Sequence, residues 1–444
     1  MRVTKKLREV ISFKGGGTPS KKIANYWDGD IPWATVKDFA STSLLTTQDY
    51  ITHEGLENSA ANLIPKGHVI IPTRMSLGKA AINVIDLAIN QDLRALIPKV
   101  ELDTEYLLYA VLSLKDQIIK KGSGATVKGI TQEALYDLEI FFPPLDDQKC
   151  IAYLLGKVEG LIAQRKQHLQ QLDDLLKSAF LEMFGDPGEM ESQDHFLLGD
   201  FIEFLTSGSR GWANYYAESG SVFLRINNVK DGRLKLDDMV YVNAPDSAEA
   251  IRTRVREGDL LFSITADLGR TAVVSKELEG SYINQHLALI RLKSNEELAP
   301  LYLAWYFTMP YGRSFIQKKN REGVKAGLNF DDLRGLKFIK PSINLQNKFA
   351  TIVKKIEDIK SNYQASLTDL ETLYGALSQK AFKGELDLSR IPLPPHDTQA
   401  AATLKTNVRP QSKDDSFELP APSELATLNS VEGRNALVDQ WLRA

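Results

Sequence analysis

The sequence repeats itself once, at an interval of about 195 residues, and that duplication constrains every reading of the chain. Ala24-Asn25-Tyr26-Trp27 returns as Ala213-Asn214-Tyr215-Tyr216, and Val36-Lys37-Asp38 as Val229-Lys230-Asp231. The run Lys66-Gly67-His68-Val69-Ile70-Ile71 returns as Glu257-Gly258-Asp259-Leu260-Leu261-Phe262. Leu77-Gly78-Lys79 becomes Leu268-Gly269-Arg270, and Ile89-Asn90-Gln91 becomes Ile283-Asn284-Gln285. Further on, Gly129, Leu135, Leu138, Pro143, Gln148 and Ala152 match Gly327, Leu333, Leu336, Pro341, Gln346 and Ala350. Each match is short, but their shared order makes chance a poor explanation. Solenoid repeats run roughly 20–50 residues, so a period this long is a duplicated domain.

Each copy has two parts. The first mixes short β-type runs (His68–Ile71, Ala80–Ile85, Leu260–Ile264, Leu287–Ile290) with Gly-Asp, Lys-Gly and Asp-Gly turn pairs. Helices are expected over Thr104–Lys121 and Leu298–Lys319, which predicts an α+β fold. After Pro143-Pro144 the period changes. Ile151, Val158, Arg165, Leu172 and Ala179 are spaced by seven; Leu154, Leu161, His168 and Leu175 follow three residues after the first four; Leu155, Ile162, Leu169, Leu176 and Met183 widen the stripe. The second copy repeats this with Phe349, Ile356, Tyr363, Leu370 and Leu377, and with Ile352, Ile359 and Leu373. Such a/d/e heptads predict two long helices, each of some 35 residues and roughly 50 Å. Neither stripe is buried by its own turn, and the economical partner is the other copy, in an antiparallel two-helix coiled coil. The expected architecture is two homologous mixed α/β recognition domains separated by that coiled coil, with pseudo-two-fold symmetry. The boundaries are 1–145 for the first domain, 146–186 for the central helix, 187–341 for the second domain, 342–384 for the distal helix, and 385–444 for a linker and last helix.

Composition narrows the class. No apolar run approaches the roughly 20 residues that span a bilayer, and the start lacks a long apolar segment of secretory type. The single cysteine, Cys150, excludes an internal disulfide and points to a reducing compartment, the cytoplasm. One cysteine and six scattered histidines argue against a structural zinc site. Net charge is −3, so bulk charge does not announce a nucleic-acid partner. The tail from Gly384 carries 6 basic and 9 acidic residues, which leaves 48 of each sign elsewhere. Nucleotide-binding Gly-x-x-x-x-Gly-Lys-Ser/Thr, adenine-methyltransferase Asn-Pro-Pro-Tyr/Phe and His-Glu-x-x-His motifs are all missing. Pro245-Asp246 with Glu249 suggests a nuclease pair, but Ile251 stands where the lysine belongs. No catalytic residue and no metal ligand is expected.

At this point the sequence resembles the specificity subunits of type I restriction–modification systems. The resemblance rests on Gly16-Gly17-Thr18-Pro19-Ser20 followed by Tyr26-Trp27 and Asp30-Ile31-Pro32-Trp33, on Gly67 through Arg74, and on Ile140-Phe141-Phe142-Pro143-Pro144-Leu145-Asp146-Asp147-Gln148 entering the helix. It covers about residues 4–385. The second copy departs from it, with Gly208-Ser209-Arg210-Gly211 and Lys340-Pro341-Ser342-Ile343 in the corresponding places. The resemblance implies a non-catalytic reader of double-stranded DNA with an asymmetric, two-part target. It also implies two methyltransferase subunits and two restriction/translocase subunits as partners, with no membrane partner. This chain would bind no cofactor, and S-adenosylmethionine, ATP and Mg2+ would belong to the partners.

Base edges are read by hydrogen-bonding side chains, while phosphate contacts position the protein. Four candidate clusters follow. The loop with Lys14, Thr18, Ser20 and Lys21 offers glycine amides, hydroxyls and lysines to phosphates, and Arg210 lies in its counterpart. After the matched strands come Arg74, Ser76 and Lys79, against Thr265, Asp267 and Arg270. Thr35 and Lys37 stand against Arg225, Asn227, Asn228 and Lys230. Thr126 and Lys128, near Ser123, stand against Lys325 and Asn329. Asn90-Gln91 and Asn284-Gln285 repeat amides that suit either a bond to adenine or the capping of a turn, and the turn is the favoured reading. For methyltransferase contact, the candidates are the d-row residues Leu154, Leu161, Leu175, Ile352, Ile359 and Leu373, with Trp441 in a helix expected over Ser423–Arg443. The competing reading is a protein–protein adaptor without DNA contact, which the near-neutral charge permits.

Overall fold

The computed structural model describes residues 3–124, 127–185, 192–294, 297–319, 327–389 and 391. Ser423–Arg443 and Trp441 lie outside them. The chain divides into two compact units: Met1–Lys166 with Ala365–Val408, and Gln167–Gln364 with Arg409–Ala444. Two 40-residue helices, Leu145–Phe184 and Ile343–Phe382, each contribute to both units.

In the first unit a five-stranded sheet has the order Ile11–Gly15, Leu93–Pro98, Val69–Pro72, Ala81–Asn83, Ser43–Leu44. A second sheet has the order Asp49–Ile51, Trp27–Ala34, Leu87–Ile89, Asn62–Ile64. The second unit repeats the plan. Ile202–Ser207, Leu287–Leu292, Leu260–Ser263 and Thr271–Val273 form one sheet; Tyr216–Ala217, Val240–Val242, Ser221–Leu224 and Tyr282–Ile283 form the other. The central strands Val69–Pro72 and Leu260–Ser263 are buried along their whole length, which is why they read as unbroken apolar runs rather than as alternations.

Both expected domain helices are interrupted. The first is Thr104–Ser113 then Lys115–Lys121, broken at Leu114; the second is Pro300–Thr308 then Pro310–Lys319. Pro310 forces Met309 into extended backbone and ends the first segment. The recurring glutamines in the first turn of the long helices have a shared task. Gln148 donates to Pro143 O at 2.9 Å and accepts from Asp103 N at 3.0 Å; Gln346 donates to Pro341 O at 2.8 Å and accepts from Ala299 N at 2.8 Å. Each buried amide thus locks the start of a long helix to the start of a domain helix.

Within each unit the long helices pair antiparallel. In the second unit the His168 ring lies 5.7 Å from Tyr363, Lys360 Nζ lies 2.6 Å from Asp173, and Phe180 lies 5.3 Å from Phe349, so partner numbers fall as helix numbers rise. In the first, Lys166 pairs with Glu371 at 2.9 Å, while Ile151, Ala152 and Leu155 share a core with Ala381. Matched glutamates fasten the long helices to their domains. Glu159 accepts from Tyr109 Oη at 2.7 Å and Thr42 Oγ1 at 3.1 Å. Glu357 accepts from Arg233 at 2.6 Å, and Arg233 also donates to Asp173 at 2.6 Å.

Burial raises the ionisation of Tyr106, Tyr109, Tyr302 and Tyr306 well above the ordinary phenol range, and that of Tyr374 to about 12. Beside Tyr109 the Glu159 carboxylate adds to the effect. A folded-state value above the unfolded one, near 10, gives stability that is complete below about pH 10 and is lost as pH rises through the folded-state value. Alkaline titration is expected to show unfolding coupled to a cooperative rise in phenolate absorbance above pH ~10. Non-cooperative titration of all tyrosines near that value contradicts this.

Candidate nucleic-acid interface

Strand direction brings the candidate clusters to one end of each main sheet. Gly15 pairs with Arg94 and Pro72 with Leu93, so the loops after Gly15 and Pro72 and the turn before Leu93 emerge together. Ser207 with Ala288 and Ser263 with Leu287 produce the same arrangement in the second unit.

In the first unit these loops form one connected strip. Gly17 N donates to Ile89 O at 3.0 Å, and the Thr18 hydroxyl donates to Gln91 Oε1. Asn90 Oδ1 accepts from Asp92 N at 3.0 Å, Thr73 N donates to Asp92 O at 2.7 Å, and Arg74 reaches Asp92 Oδ1 at 3.9 Å. Met75 N donates to Lys128 O at 3.1 Å, and Arg74 bridges Gly129. Lys79 Nζ donates to Phe39 O at 3.0 Å and Asn90 N to Ala34 O at 3.1 Å, which adds the Thr35–Lys37 turn. Lys21, Lys37, Arg74 and Lys128 are exposed. Lys14 is exposed too, its ammonium resting on Leu63 O at 3.0 Å, and Ser20 accepts Trp27 Nε1 on its carbonyl. Ser76 sits in the loop after Arg74, its amide on Arg74 O at 2.8 Å. Thr126 lies outside the described residues.

The second unit builds the same strip from other side chains. Gly208 N donates to Leu287 O at 3.0 Å, Ser209 bridges Asn284, and Asn284 N donates to Leu224 O at 3.1 Å. The His286 ring sits between Gln285 Nε2 at 3.0 Å and the Thr265 hydroxyl. Thr265 bridges Gly327, as Arg74 bridges Gly129. Ser209, Trp212, Tyr216, Gln285 and His286 line a cavity of about 210 Å³ here. Arg210, Asn227 and Lys230 are exposed, Asp267 pairs with Arg270 at 2.6 Å, and Lys325 lies outside the described residues.

Four of the expected DNA contacts have their polar groups engaged within the fold. Asn228 is only 3% exposed and donates to Lys235 O and Asp238 O, at 2.9 and 3.1 Å. Arg225 is clamped on Asp238 at 2.6 Å. Thr35 caps a helical turn, accepting from Lys37 N at 3.2 Å and donating to Asp38. Asn329 forms a reciprocal capping box with Asp332, at 2.8 and 3.0 Å. Polar side chains next to turns were open to both uses; nearby backbone groups engage Thr35, Asn228 and Asn329, and the Asp238 carboxylate engages Arg225.

The glycine loop is engaged within the fold as well. It is a close approach between backbones rather than an open phosphate cradle, with the Gly17 amide already spent on Ile89 O. A Cβ on Gly16 meets Ile89 O at 1.9 Å, and one on Gly208 meets Asn284 O at 2.1 Å. Gly208→Ala is expected to displace the Asn284 turn at a cost of ~1–3 kcal/mol, read as a lowered melting midpoint. An unchanged midpoint contradicts the close approach.

The helix candidates for partner contact divide. Leu175, Ile352 and Ile359 are buried in the core of the second unit and offer no surface to a partner. Their helices pack on the domain as well as on each other, which buries the d row at these three positions. Leu154 is half-buried, while Leu161 and Leu373 are each 46% exposed. The sequence favours a turn role for Gln91 and Gln285, which here line the strip, and gives no signal for His286 beyond its place after that recognised repeat. Nor does it signal Met75, except by its place between Arg74 and Ser76.

Two copies of one α+β module, each turning the same loops into a polar strip of different side chains, define a duplicated recognition protein. The chain belongs to the family described as the type I restriction modification DNA specificity domain, which matches residues 2–173 and 194–372. It is 24% identical over 414 residues to the type I restriction enzyme MjaIX specificity subunit of Methanocaldococcus jannaschii, covering 87% of this chain and 94% of that one. It is 33% identical over 164 residues to the specificity subunit of an Escherichia coli type I restriction enzyme, covering 35% of this chain and 41% of that one. Its fold is similar to the crystal structure of a type I restriction–modification S subunit from M. genitalium, with a TM-score of 0.54 and 16% identity over 86% of this chain and 96% of the other. A structure from work on complex assembly in a type I system gives a TM-score of 0.52 and 17% identity, covering 86% of this chain and 98% of that one.

Proposed function

We propose that this chain is the non-catalytic DNA-recognition subunit of a type I restriction–modification complex, and that each module reads one half of an asymmetric, split target. The observation that carries this is the matched strip. Equivalent bridges, Arg74 to Gly129 and Thr265 to Gly327, hold equivalent loops, while the side chains on those loops differ between copies. Equal scaffolds with unequal polar ends suit two different half-sequences.

Base or phosphate contact falls to Lys14, Thr18, Ser20, Lys21, Lys37, Arg74, Ser76, Lys79 and Lys128 in the first module. In the second it falls to Arg210, Asn227, Lys230, Thr265, Asp267 and Arg270. Two methyltransferase subunits and two translocating nuclease subunits are the proposed partners, bringing S-adenosylmethionine, ATP and Mg2+ for chemistry that this chain does not perform. Leu161 and Leu373 are the proposed apolar contacts to a methyltransferase subunit, and the cytoplasm, where such DNA is found, is the proposed compartment.

The test is selection. The chain reconstituted with its methyltransferase subunits and offered a random duplex library is expected to enrich one motif of two unlike parts around unspecified base pairs. Recovery of unenriched DNA defeats the proposal.

A further inference from the structure

At the apex of the strip both modules hold a non-glycine residue in the left-handed region. Met75 has φ 65° and Ala266, its match, has φ 63°. A side chain there is strained, and glycine relieves the strain. The same loops use glycine three residues on, where Gly78 and Gly269 have φ 84° and 80°. Glycine therefore occurs in this loop, yet it is absent from the apex in both copies.

The apex side chains stabilise little within the chain. Met75 is 68% exposed, and Ala266 is exposed. The loops are nonetheless held firmly. Met75 N is bonded to Lys128 O at 3.1 Å and Ser76 N to Arg74 O at 2.8 Å. In the second module Arg270 N donates to Ser263 Oγ at 2.8 Å and Gly269 N to Ser263 O at 3.1 Å. Strain kept twice, at a fixed point, beneath an apolar side chain that faces outward, is what a contact made outside the chain requires.

Resting on the DNA-reading proposal, we infer that Met75 and Ala266 are specificity-determining residues, each making an apolar contact with a thymine C5-methyl group in its own half of the target. The major-groove edge offers one such apolar feature, and it is thymine's. Methionine and alanine differ in reach, so the two halves present that methyl at different depths.

Uracil substitution isolates the contact, because it removes the methyl and leaves base pairing unchanged. The complex with methyltransferase subunits is titrated with its selected target, each thymine replaced in turn by uracil. The parent complex is expected to lose about fourfold in affinity at one A·T pair of the first half, the worth of one buried methyl group. Met75→Gly, which folds with an unchanged or raised melting midpoint because strain is released, is expected to bind both versions of that pair equally. Ala266→Gly is expected to do the same in the second half. Indifference of the parent complex to every uracil overturns the inference, as does sensitivity that survives in Met75→Gly. If the parent complex selects no motif at all, the DNA-reading proposal itself fails and this inference with it. A selected motif with a flat uracil scan removes only the inference.

Discussion

Phe349→Ala is expected to destabilise the second unit by ~3–5 kcal/mol, the usual cost of removing a fully buried aromatic ring. Phe349 has no exposed surface, and its ring centroid lies 5.3 Å from Phe180, 5.6 Å from Phe184 and 5.8 Å from Trp305. Phe180 and Phe184 come from one long helix, Phe349 from the other and Trp305 from the domain helix, so the resulting cavity opens where three elements meet. Rigid aromatic neighbours close such a space poorly, which favours the upper part of the range. Denaturant titration is expected to show a lowered midpoint with an unchanged slope, the sign of lost stability without a changed unfolding reaction. Ile151, the matched position in the first unit, is buried in a core of its own. Ile151→Val is expected to cost only ~0.5–1.5 kcal/mol. A loss below about 1 kcal/mol for Phe349→Ala contradicts the packing described, since that falls under the range for buried rings.

The second large effect concerns salt. Neutralising phosphates releases counterions, so affinity falls as a power of salt concentration. If the two strips together neutralise about six to ten phosphates, affinity of the complex for its target falls roughly 10³–10⁵-fold between 50 and 200 mM salt. Lys128→Ala is then expected to lower the slope by about 0.9 and to weaken specific and nonspecific DNA alike, because a phosphate contact carries no sequence information. With the chain near neutral overall, this chain's own share of that slope comes from local placement of exposed cations such as Lys21, Lys37, Arg74 and Lys128, and Lys128→Ala isolates part of it. Binding that ignores salt favours an adaptor that holds proteins together without touching DNA.

Much of the architecture was legible because period and order survive divergence. Heptads ran through both long helices, and the matched Gly67 and Gly258 keep φ of 89° and 82° in the folded chain. The strips were legible only as scattered clusters. What unites them is sheet direction, which sets Gly15, Pro72 and Leu93 at one end, and no local sequence signal encodes that. Individual roles were the least legible. Asn227 and Asn228 are adjacent and chemically identical, yet one is exposed while the other is buried as an internal cross-link. The heptad rows misled in one respect. Leu175 and Leu161 occupy the same row, but the first is buried and the second lies open, because burial depends on where each domain core lies against its helix.

The most direct measurement compares methylated positions across the host's DNA with and without this gene. The account predicts that deletion abolishes methylation at a single motif of two unlike halves at fixed separation. A methylation pattern that survives deletion unchanged, or the loss of an undivided motif, contradicts it.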